Sequence, residues 1–166
     1  MKIEVNENLP FVKTEDLKVI IDAAKSSGEA VIDMAGGVVV VMLVEQDDYD
    51  VVMASTSEQQ ARGVCLQEFS LEYGDHIVVK MIKRKKYGSL LQHELTHAVD
   101  LLKGLPFDGP EVAWANRIQE RRAFLAQIRW ESSVTGKIFT ETCTWRNRAN
   151  LTKETNLWLR KELGLP

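Results

Sequence analysis

The feature that most constrains this chain is "HELTH", residues 93–97, because it lies within a stretch whose apolar residues recur at helical spacing. Leu90, Leu91, Leu95, Ala98, Val99, Leu101 and Leu102 keep that period from Tyr87 to Lys103, and Gly104 with Pro106 supplies the stop. Residues four apart on a helix share a face, so His93 and His97 can aim their imidazole nitrogens at one point. A zinc ion takes such nitrogens at about 2 Å, and a catalytic site uses three protein ligands and keeps a fourth position for water. Glu94 belongs to the adjacent face, where its carboxylate is poorly placed to ligate but can take a proton from a water on the metal. The bland alternative is an amphipathic helix that exposes two of the chain's 3 histidines. A chance H-E-x-x-H in so histidine-poor a chain is rare.

The motif lacks a third ligand. In one zincin class the pattern runs on to a glycine and a third histidine, but the corresponding positions here are Asp100 and Lys103, and no histidine follows His97. Carboxylates remain. The most suggestive is Glu120 in "RIQERRAFLAQ", in a helix expected after "FDGPE", where Asp108 or Gly109 can cap and Pro110 takes the first turn, running to about Trp130. Ala113, Ala123, Phe124 and Gln127 fall on or near its face, and the small Ala123 allows a close helix approach. Glu111 is a competitor, though an acid in a helix's first turn is ordinary capping chemistry. Asp100 lies one turn beyond His97 and better suits a hydrogen bond to a ligand imidazole than the metal itself. Glu120 can also be a solvated acid paired with Arg117 or Arg121.

With these residues, the chain resembles the compact gluzincin zinc metallopeptidases, in which "HELTH" on one helix is joined by a glutamate of the next, often within E-x-x-A, here "ERRA". The resemblance covers about residues 75–130. It implies that His93, His97 and Glu120 hold Zn2+ and that Glu94 activates the attacking water. The implied fold is α+β: a small zincin-like domain with a short mixed sheet and an active-site helix packed on a glutamate-bearing helix.

Elsewhere the reading is coarser. At 166 residues and 45% hydrophobic, residues 1–166 are expected to form a single domain. "TEDLKVIIDAAKSSGEA" reads as a helix capped by Thr14 and stopped near Gly28. "VVVVMLVE" reads as a buried strand with "DVVMAS" as its partner, "RGVCLQEFSLE" and "DHIVVKMI" as a hairpin, and 151–163 as a last short helix. "DHIVVKMI" resembles in position the edge strand along which zincin peptidases lay an extended substrate. His76 near its start can bind a substrate carbonyl, or be a solvated hairpin histidine.

A net charge of -3 gives no global attraction to nucleic acid or an anionic membrane. "KMIKRKK", residues 80–86, is the one local cationic run, and without interleaved aromatics it reads as a solvated junction. No apolar run approaches the roughly 20 residues of a membrane span, and the start lacks a signal-peptide core. With 2 cysteines, Cys65 and Cys143, reduced thiols and a cytoplasmic site are the expectation. The expected activity is zinc-dependent hydrolysis of a peptide or protein substrate. The rival is an inactive zincin-fold regulatory protein contacting a protein or nucleic-acid partner through the basic run.

Overall fold

The computed structural model describes residues 2–6, 11–45, 63–82, 88–136 and 153–166. The expected strand at 50–55, Cys143, Trp145 and the cations at 83–86 lie outside them.

The described residues form an α+β arrangement of one mixed five-stranded sheet and four helices. The strands are β1 (Ile3–Glu4), β2 (Glu29–Met34), β3 (Gly37–Val44), β4 (Gly63–Ser70) and β5 (Gly74–Ile82). Across the sheet their order is β1-β2-β3-β5-β4. β2 and β3 are antiparallel, closed by Ala35 and Gly36 at φ 50 and 75, the left-handed pair a two-residue hairpin turn requires. β3 and β5 are parallel, and β5 returns antiparallel to β4. The central β3 has neighbours on both sides and reads accordingly as an almost unbroken run of β-branched residues. The β4–β5 hairpin is as the sequence suggests, with the turn at 71–73. β2 is not legible as a strand by propensity, since Glu, Asp and Ala are weak strand formers. Its alternation still buries Ala30, Ile32 and Met34.

Helices α1 (Thr14–Ser27) and α2 (Gly88–Leu102) cover one face of the sheet. Leu17, Ile20 and Ala24 of α1 and Leu91, Leu95 and Ala98 of α2 join the inward residues of β2, β3 and β5 in the main core. Thr14 is the first residue of α1 rather than its cap, and its hydroxyl accepts the Trp130 indole N–H at 3.1 Å. Gln92, 1% exposed, accepts the Val12 N–H and donates to the Val12 carbonyl, tying the approach to α1 onto α2. The two ends of α2 are fixed by close approaches: a Cβ at Gly88 would strike the Trp130 ring, and one at Gly37 of β3 would strike Leu102.

Helix α3 (Ile118–Thr135) packs along α2, and α4 (Lys153–Glu162) docks on α3 through Leu159. α3 starts later than "FDGPE" suggests, because a turn and a short 3-10 segment (Trp114–Asn116) intervene. Asp108 still caps it, at long range: its Oδ2 accepts the Ile118 N–H at 2.8 Å. The helix continues past Trp130 to Thr135, where Gly136 at φ 71 ends it. Among the described residues no helix is long and apolar enough to cross a membrane.

Candidate metal centre

At roughly 100° per residue, Leu91, Leu95 and Ala98 cluster on the side of α2 opposite His93 and His97, with Glu94 between the two sets. Burying the apolar stripe against the sheet therefore turns both imidazoles toward α3 and Glu94 toward the start of β4. On the facing side of α3, Ala123 is 0% exposed, which lets the helices close up, and Glu120 lies directly opposite the imidazoles. Its Oε2 is 2.9 Å from His93 Nε2 and its Oε1 3.1 Å from His97 Nε2. One ligand atom from each residue lies within 4.8 Å of the others, and all three residues are buried.

This donor set fits a metal ion. Tetrahedral ligands at about 2 Å from an ion stand roughly 3.3 Å apart, so the Nε2–Oε separations here need only small side-chain adjustments to admit one. Two imidazoles and a carboxylate suit zinc and other first-row divalent ions as well. The rings meet edge to face, with centroids 4.8 Å apart, and Phe124 closes in on His93 at 5.0 Å.

The carboxylate takes its charge from its neighbours. Burial alone would raise the Glu120 pKa, but hydrogen bonding and charge from both imidazoles outweigh it and hold the group down at about 2. Burial likewise pushes His97 down, and the Glu120 hydrogen bond, with the charges of Glu120, Glu94 and Asp100, overcomes it and raises His97 to about 9. The metal-free protein thus holds a proton on His97, within the group that could hold a metal ion.

A pH dependence follows. His97 is raised on folding, so its contribution is complete below about 6.5 and lost as pH rises toward 9; Glu120 is depressed, so its contribution is complete above about 4.5 and lost as pH falls toward 2. In chelator, Tm should decline from pH 6.5 to 9, whereas zinc-saturated protein should keep its Tm over that range. Melts in parallel with and without zinc measure this, and a flat metal-free curve would exclude the Glu120–His97 pairing.

The remaining expected residues are distributed as follows. Glu94 is 6% exposed and lines the same groove as the three convergent residues. Asp100 is buried but does not serve an imidazole; its Oδ2 accepts from Arg122 Nε at 2.8 Å, and Arg122 also donates to the Pro106 carbonyl. His97 Nδ1 is buried with no hydrogen-bond partner among the described residues. Glu111 is exposed and outside the convergent group. Glu120 is 6% exposed with its two oxygens against His93 and His97, so it is not a solvated acid; Arg117 Nε donates to the Val112 carbonyl and Arg121 Nε to Thr155. His76 is buried near the start of β5, paired with Glu68 in register and bonded through Nδ1 to the Gly74 carbonyl at 2.9 Å. It does not line the groove.

Gln127, on the Glu120 face as the spacing suggests, is 4% exposed, and its Oε1 lies 3.2 Å from His93 Nδ1. Two turns beyond Glu120 it shares that residue's face, but spacing alone does not say which imidazole it meets. Accepting Nδ1–H directs the His93 Nε2 lone pair at the metal position. Gln127→Leu should weaken metal affinity by about 10- to 100-fold, measured by competition with a chelating dye. Unchanged affinity would leave Gln127 as packing only.

The groove has a volume of about 220 Å³. Besides the residues above it is walled by Cys65 of β4 and by Leu101, Phe107 and Trp114. Asp108 and Gln119 exchange backbone–side-chain hydrogen bonds that pin the Phe107 loop to the first turn of α3. Burial, with the charges of Glu94 and Asp100, raises the Cys65 thiol pKa well above its ordinary value, which keeps it protonated.

No family model, curated protein or solved structure matches this chain.

Proposed function

We propose that the protein is a zinc-dependent peptidase of the gluzincin type, with a zincin-like active-site helix α2 and Glu120 of α3 as third ligand. The observation that carries this reading is the convergence of His93, His97 and Glu120 in one groove that also contains Glu94. When bound, zinc acts as a Lewis acid on the scissile carbonyl and lowers the pKa of water toward about 7.

The chain's own residues supply the rest. Glu94 accepts a proton from the attacking water as its oxygen bonds to the carbonyl carbon, and the carboxyl group then delivers that proton to the amine nitrogen as the C–N bond breaks. Gln127 orients His93, and the His97 ring is held between His93 and Phe107. Among the described residues β4 is the end strand of the sheet, while β5, the strand expected to be the edge, is paired with β3 on one side and β4 on the other. An extended peptide therefore has β4 to pair with, main chain to main chain, beside Glu94.

Incubating the zinc-loaded protein with an unbiased peptide library and sequencing the products by mass spectrometry tests the reading. Cleavage that stops with chelator and returns with zinc is expected. Zinc bound at one per chain without any cleavage would favour the regulatory role instead.

A further inference from the structure

Gly63, the first residue of β4, is buried and pairs with Met81 of β5. Its φ lies outside the left-handed region, so backbone conformation does not call for glycine there. Glycine weakens a strand, having no side chain to pack and more freedom to lose. Its presence has a spatial reason. A Cβ at Gly63 would stand 3.1 Å from Glu94 Cγ, 3.2 Å from Oε1 and 3.3 Å from Cδ. Comfortable carbon contacts begin near about 3.5 Å, so Glu94 would have to give way. The space at Gly109 is likewise filled by a carboxylate, that of Glu111, but Glu111 is exposed and can swing into water. Glu94 is 6% exposed, so the shift it makes is taken within the groove, away from its place beside β4, rather than into bulk water.

We infer that Gly63 is a positioning residue: by lacking a side chain it lets the Glu94 carboxylate lie against the start of β4, in the groove it shares with His93, His97 and Glu120. This rests on the peptidase reading for its consequence, though not for its geometry. A displacement of the order of 1 Å in a proton-accepting group can cost about 100-fold in rate, so a contact tight by a few tenths of an ångström should register in kcat.

The test is a double-mutant cycle in zinc-loaded protein with two readouts. For stability, Gly63→Ala should lower Tm by about 2–4 °C when Glu94 is present. In a Glu94→Ala background it should leave Tm unchanged or raise it, since alanine restricts the unfolded chain and the clash is gone. For catalysis, Gly63→Ala should lower kcat by roughly 10-fold and Gly63→Val by more, with KM and zinc stoichiometry unchanged. Equal Tm shifts in both backgrounds would overturn the contact. Coupled Tm shifts with an unaltered kcat would overturn the positioning role. If the wild-type protein cleaves nothing, the peptidase reading fails, and the melting cycle still decides whether Gly63 sets the place of Glu94.

Discussion

Glu94→Gln should lower kcat by about 10²–10⁴-fold while the protein still binds one metal ion per chain. The amide has nearly the shape of the carboxylate, so the 6%-exposed site and its contact with Gly63 are preserved. What is lost is a group that can accept and return a proton. Glu94 is outside the convergent trio, so the ligand set is untouched. Its charge is also one of those that raise the His97 pKa. Removing that charge makes His97 easier to deprotonate but also takes a negative charge from beside a divalent cation, so metal affinity near neutral pH should not rise and should fall only modestly. Steady-state kinetics with elemental analysis of the same preparation measure both effects, and a fully active Glu94→Gln protein would remove the proposed mechanism.

Glu120→Ala should abolish stoichiometric metal binding and, in chelator at pH 6, destabilise the protein by about 3–5 kcal/mol, the usual cost of removing one partner from a buried ion pair. The carboxylate is almost wholly buried between two imidazoles, and His97 holds its proton because Glu120 is there. The penalty should shrink toward pH 9, where the wild-type pair is itself losing the His97 proton. Denaturant unfolding of both proteins at pH 6 and 9 tests the sign as well as the size. Retention of one tightly bound ion by Glu120→Ala would transfer the third-ligand role to Asp100 or Glu111.

Much of the fold was readable because the signals were local. The period of α2, the stops at Gly28 and Gly104, the β-branched run of β3 and the β4–β5 hairpin all follow from neighbouring residues. β2 was not, because its place in the sheet derives from pairing with β1 and β3 rather than from its own residues. The start of α3 is not legible for a similar reason. Asp108 caps that helix from ten positions upstream, across a turn and a 3-10 segment that no local rule anticipates.

At the site, sequence alone determined the pair His93 and His97, the glutamate beside them and the helix that carries them, since four-residue spacing on a helix is a covalent consequence of the chain. It favoured Glu120 for the third group over Asp100 and Glu111, without the distances between them. Tertiary structure supplied those, bringing Glu120 to the two imidazoles in a group that could hold a metal ion. Glu120 faces the imidazoles because Ala123 lets α3 close on α2, Asp100 is taken by Arg122, and Gln127 rather than Asp100 reaches a histidine. Which edge of the sheet borders the groove was likewise settled only by strand order, as was the contact between Gly63 and Glu94. The physical reason is the same in each case: these partners are distant along the chain, and their meeting is fixed by how two helices and a sheet pack, which residue spacing does not encode.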